Sequence, residues 1–266
     1  MPRTPTGESS IARAVRIVSA FTPQDTSLTV SEIARRTGLH VATASRLVAE
    51  LAAHGLLERG PDREVSVGVR LWELASRASP TSSLRESAMP FLEDVHSVVG
   101  HHVQLGVLDG DDVLFIERLS AREAVVNYSR VAGRLPVHVS SVGHVLLAFG
   151  SPELQQRVLG GPFERYTERT VSTSDQLRAL LAETRRRGFS LLHGHVHEEA
   201  ASVAVPVRDR LNTVVAGLSV IVPNDTRAEV HVPVLLAAAR GLGRHLPVRP
   251  VTVDDVPRAP GPARRC

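Results

Sequence analysis

The chain has 266 residues, 42% of them apolar, with a formal net charge of +3. That length suits one large domain or two ordinary ones, and the composition allows a sizeable core. No apolar run approaches the ~20 residues of a membrane span, "MPRTPTGESS" lacks a signal peptide's apolar region, and the one cysteine, Cys266, excludes an intrachain disulfide. The expectation is a reduced, cytoplasmic protein with no membrane partner.

All 31 basic residues are arginine. Genomic base composition is a simpler reading of the bias than design, but the physical effect is that every cation is a planar fork suited to phosphate or carboxylate. The sequence pI near 9.9 leans toward a polyanionic partner.

From Ser10 to Phe21, apolar Ile11, Val15, Val18 and Phe21 form a helical stripe. In "LTVSEIARRTGLHVATASRLVAELAAHGLLER", Ser31 is a plausible N-cap for a short helix and Gly38 suits a left-handed turn. A second helix is expected from about Val41 to His54, with Ala44, Leu47, Val48 and Leu51 inward and Gly55 closing it. Two helices joined this way make a helix-turn-helix. "LLERGPDREVSVG" then reads as a β-hairpin, the wing of a winged helix.

Charge placement supports DNA contact. Between Glu32 and Glu50 there is no acid, yet Arg35, Arg36, His40 and Arg46 fall there. His40, Thr43, Ser45 and Arg46 remain outward on the second helix, the side chains that reach bases and phosphates in a major groove. Arg59 and Arg63 on the wing suit backbone contacts. The bland alternative is a small helical domain with solvated arginines.

"SPTSSLRESAMPFLEDVHSVV" predicts a helical connector with Leu84, Ala88, Phe91, Leu92 and Val95 on its apolar face and a kink or restart at Pro90. Such a helix is a dimer seam or packs on its own domain. Beyond it, "HHVQLGVLDGDDVLFIERL" reads as strand, turn, strand, and "SVGHVLLAFG" as a helix starting near Val142. "TSDQLRALLAETRRRGF" is an amphipathic helix, "ASVAVPVRDRLNTVVAGLSVIVP" two strands, and "VPVLLAAARGLGRHL" a last helix. Without strict β-α-β alternation this is α+β with a mostly antiparallel sheet. The expected divisions are 8–76 for the winged helix, 77–98 for the linker helix, 99–246 for a second domain and 247–266 for a disordered tail.

Catalysis finds little support: no G-x-S-x-G occurs, the cysteine is terminal, and no Gly-rich phosphate loop follows a strand. No cofactor is expected. "HGHVHEEAASVAVPV" raises a metal alternative. On a strand, His193, His195 and His197 would share one face and could bind zinc with Glu198 or Glu199, helped by His101, His102 or His144.

These residues resemble the IclR family of bacterial transcriptional regulators from about Ser10 to Leu246. The helix-turn-helix stretch, "GRLPVHVSSVGHVLLA" and "L…RRRGFS…SVAVPVRD…VAGLSV" carry the likeness in that order. The resemblance implies double-stranded operator DNA as partner, a homodimer through the DNA-binding domains, often a dimer of dimers, and a GAF-like domain binding a small organic acid. Members repress or activate. It also implies effector contacts at Asn127, Leu135, Ser141, Val142, Leu192, Ala200, Ser202, Ser219 and Ile221. A helix starting near Val142 offers free N–H groups and a positive dipole end, which suits an anion. Two departures stand out: His144 replaces a frequent lysine, and Gly194–His195 replaces a pair of acids. His193 and His195 thereby become candidates for recognising an anionic ligand, since imidazole can charge near neutrality.

Overall fold

The computed structural model describes residues 8–246 apart from 23, 79, 122, 123, 126, 128 and 226. The expected tail, 247–266, lies outside the described residues. The chain divides into two compact units at residues 79 and 80.

The first unit packs α1 (Ser10–Val18), α2 (Val30–Thr37) and α3 (Val41–Ala53) beside a three-stranded antiparallel sheet. Its strands β1 (Ser27–Thr29), β2 (Leu57–Arg59) and β3 (Glu64–Val67) lie in the order β1-β3-β2. Ile17, Ile33, Leu47, Val48, Leu51 and Leu57 close its core. The start of α2 differs from the expectation. Thr29, not Ser31, is the N-cap: its hydroxyl accepts from Glu32 N while the Glu32 carboxylate accepts from Thr29 N at 2.8 Å. This reciprocal pair satisfies two helix-end donors at once, which Ser31 cannot do. Gly38 adopts the left-handed turn at φ +65°. A further helix, α4 (Val69–Ala78), follows the wing, beyond the elements the sequence pattern predicts.

In the second unit, α5 (Pro80–Val99) runs as one helix through Pro90. It is no free connector. Leu84, Ala88, Leu92 and Val95 are buried against the sheet of its own unit. That sheet has six antiparallel strands: β4 (His102–Asp109), β5 (Asp112–Leu119), β6 (Arg134–Pro136), β7 (Ser190–His193), β8 (Ala200–Arg208) and β9 (Val214–Pro223). Their order is β6-β5-β4-β9-β8-β7. Alternation along each strand serves two cores. Val203 and Val205 face α5 and α9 (Val232–His245), while Ala204 faces α6 (Ser141–Ala148), α7 (Pro152–Leu159) and α8 (Ser174–Arg187).

The α6 face carries the functional geometry. All eight residues of α6 are buried. Its first turn lies close on the sheet because Gly106 and Gly217, paired across β4 and β9, leave room for Val142. A Cβ at either position would approach Val142 Cγ1 to 3.0 or 2.7 Å.

Candidate functional site

In the first unit, α3 presents an outward face. Val41, Ala42 and Arg46 are exposed, Thr43 and Ser45 half-buried, and Ala44, Leu47 and Val48 buried. His40 occupies the N-cap without a side-chain hydrogen bond, so the first N–H groups of α3 keep their capacity for an acceptor such as phosphate. Arg35, Arg59 and Arg63 are also exposed. Arg63 sits at the wing tip with φ +61°, a left-handed conformation unusual for a residue with a Cβ. Arg36 has partners within its own unit. Its guanidinium is 3.0 Å from the Asp25 carboxylate and donates to Ala20 O at 3.1 Å, fastening α2 to the loop after α1.

In the second unit, a cavity opens between the first turn of α6, strands β4, β8 and β9, the residues Asn127 and Ser129, and the 195–197 turn. Its volume is about 50 Å³. Of the expected effector contacts, Asn127, Leu135, Ser141, Val142, His195, Ala200, Ser202, Ser219 and Ile221 line it. Gln104, Phe115, Ser129, Ser140, Val196, His197 and Ala201 line it too, without having been expected there. Alternation could have flagged Gln104, a polar residue inside an apolar strand and paired in register with Ser219.

Polar capacity converges on this space. Ser140 caps α6 by accepting from Gly143 N at 3.0 Å, and Ser141 and Val142, the next residues of the first turn, line the cavity. Ser219 is 1% exposed and its Oγ has no hydrogen-bond partner; Asn127 Nδ2 and His195 Nδ1 are also buried and unpartnered. An unmet buried polar atom costs roughly 1–3 kcal/mol, so three around one cavity favour a polar occupant. Asn127 Oδ1 accepts from the Ser129 hydroxyl, and Gln104 Nε2 donates to the same hydroxyl oxygen. Phe115, Leu135, Val142 and Ile221 supply apolar walls.

Two expected residues fall outside. Leu192 is buried on β7 beside Ser202, one strand beyond the wall. His193 Nδ1 bonds Asn224 Oδ1 at 2.8 Å, and Asn224 Nδ2 donates to Glu198 O, so both serve the turn. The shared strand face imagined for three histidines does not form. β7 ends at His193, and Gly194 turns the chain at φ +69°. Among the described residues no group of three or more His, Cys, Asp and Glu side chains is arranged to hold a metal ion.

The turn aims His195 inward. Thr167 Oγ1 donates to Gly194 O and Thr170 Oγ1 to His195 O, both at 2.6 Å. The expected cationic role for this ring fails on its surroundings. Burial, then the charges of His193 and Arg169, push its pKa down to about 4, so it is neutral at pH 7. His144, one ring deeper, is fully buried and also held near 4 by desolvation.

The chain matches two family descriptions, "IclR helix-turn-helix domain" over residues 10–61 and "Bacterial transcriptional regulator IclR C-terminal" over residues 78–247. The HTH-type transcriptional regulator XynR of Escherichia coli is 31% identical over 212 residues, 79% of this chain and 84% of the relative. A crystal structure of an IclR homolog complexed with 4-hydroxybenzoate, from Microbacterium hydrocarbonoxydans, is 44% identical with a TM-score of 0.85, covering 88% of this chain and 98% of that one. A second IclR homolog, from Microbacterium sp. strain HM58-2, is 42% identical with a TM-score of 0.58, covering 89% and 97%. No described helix is long and apolar enough to cross a membrane.

Proposed function

The chain belongs to the IclR family of bacterial transcriptional regulators, and from that premise we propose that its DNA binding responds to a small aromatic carboxylate held in the α6 cavity. The observation that carries the reading is the unpartnered Ser219 hydroxyl, buried beneath a helix N-terminus among apolar walls. The N–H groups of Ser141 and Val142 and the dipole of α6 receive the carboxylate. Ser219 Oγ and Asn127 Nδ2 supply further donors, and Phe115, Leu135 and Ile221 enclose the ring. The relative crystallised with 4-hydroxybenzoate supports this ligand class. The relatives are regulators, and the reading adds no catalytic step.

In the first unit, α3 enters the major groove with Thr43, Ser45 and Arg46 toward base edges, and His40 at the phosphates beside the free N–H groups of the helix. Arg35, Arg59 and Arg63 follow the phosphate backbone, and Arg36 acts indirectly by holding α2 in place. Exposed Ile11, Trp72 and Leu74 on this unit support self-association as a homodimer. The effector then shifts the populations of states that bind the operator differently.

A thermal-shift titration of the full-length protein with benzoate and 4-hydroxybenzoate tests the ligand class. Both should raise the melting temperature in wild type and do so less in Ser219→Val. Absence of any shift with saturating aromatic acids would remove the reading.

A further inference from the structure

Behind the cavity wall lies a second histidine that no ligand contact explains. The ring centroids of His144 and His195 are 6.2 Å apart at an interplanar angle of 78°. His144 Nε2 is 2.9 Å from the His138 carbonyl oxygen. A carbonyl only accepts, so Nε2 carries the proton and the neutral ring has a bare Nδ1, an acceptor. That Nδ1 is buried without a partner, and so is Nδ1 of His195. Desolvation keeps both rings uncharged at neutral pH.

We propose that this His195–His144 pair reads a hydroxyl on the effector and rejects a second carboxylate. The proposal rests on the aromatic-acid reading of the cavity and deepens it. A hydroxyl both donates and accepts, so it can pair with the neutral His195 ring whichever tautomer that ring adopts. A carboxylate only accepts. It would meet a neutral His195 ring that supplies no counter-charge, and among the described residues no arginine lines the cavity to neutralise it. Among the described lining residues the anion-receiving pole is the start of α6, and it takes one carboxylate. His195 touches the ligand. His144 is a positioning residue, acting through the ring it stands behind. The Thr170 bond to His195 O fixes the turn that brings the two rings together.

The test is calorimetric binding of benzoate, 4-hydroxybenzoate and terephthalate to the full-length protein at pH 7. Wild type should bind 4-hydroxybenzoate about tenfold more tightly than benzoate, the worth of one well-placed hydrogen bond, and terephthalate more weakly than benzoate. In His195→Phe the ratio of the first two affinities should fall toward one. His195→Gln, which keeps a donor and an acceptor, should restore much of it. His144→Leu should also lower the ratio; the two His195 variants carry the test by themselves should that substitution prevent folding. Equal binding of benzoate and 4-hydroxybenzoate by wild type, or a ratio preserved in His195→Phe, overturns the proposal and leaves the aromatic-acid reading standing. If wild type binds none of the three acids, the aromatic-acid reading fails and takes this proposal with it.

Discussion

Gly217 of β9 lies directly beneath Val142 of α6, so close that a Cβ on the glycine would stand 2.7 Å from Val142 Cγ1. The helix start is therefore brought down onto the sheet at the place where the cavity needs its N–H groups. Gly217→Ala should push the first turn of α6 away, costing about 1–3 kcal/mol of stability. Effector binding should weaken as well, because both N–H groups move. Urea unfolding with a parallel benzoate titration measures the two effects. An alanine variant that binds and unfolds as wild type does would show that the close approach is unimportant.

Arg63 offers a separation of stability from function. Its left-handed conformation costs about 1 kcal/mol or more that glycine would not incur. Arg63→Gly should thus raise the stability of the first unit by about that amount while weakening operator binding. Loss of one phosphate contact should lower the slope of log affinity against log salt by about 1. Thermal unfolding and binding at several salt concentrations check both signs.

Arg46 and Arg36 should behave differently although they stand only ten positions apart in an acid-free stretch. Arg46 is exposed on α3, and Arg46→Ala should cost about 1–3 kcal/mol of operator affinity at a base-reading position. Arg36 is occupied by Asp25 and Ala20, so Arg36→Ala should loosen α2. Its effect on unfolding should be matched by Asp25→Ala, whereas Arg46→Ala should leave the unfolding curve in place. Equal effects of Arg36→Ala and Arg46→Ala on binding alone would contradict the distinction.

The buried imidazoles make stability depend on pH. A histidine held near 4 when folded and near 6.5 when unfolded takes up its proton more readily in the unfolded chain. Stability is therefore full above about pH 6.5 and is lost as the pH falls toward 4. For His144 alone the loss between pH 7 and 5 should be about 2 kcal/mol. Urea midpoints across that range should fall more steeply in wild type than in His144→Gln.

Much of this architecture was legible in the sequence, for physical reasons that differ by element. The helix-turn-helix shows because Gly38 and the apolar spacing of Ala44, Leu47, Val48 and Leu51 are local signals. The N-cap of α2 is equally local, since Thr29 and Glu32 have capping-box spacing, but the neighbouring Ser31 is as good a capping residue by type alone. The missed α7 likewise begins with Ser151 as cap and Pro152 in its first turn. The fate of the histidines was not legible. Whether His193, His195 and His197 share a face depends on the backbone at Gly194, and whether His195 carries charge depends on burial by residues far away in sequence. The role of Arg36 is set by a partner eleven positions back, across a loop, which no periodicity reports.

The claim that the α6 cavity controls DNA binding is tested most directly by fluorescence anisotropy on a labelled operator titrated with 4-hydroxybenzoate. The account expects the wild-type operator affinity to change by about fivefold or more at saturation, the lower range of allosteric coupling, and Ser219→Val to lose most of that response. An operator affinity that stays constant while calorimetry shows the acid bound would contradict it.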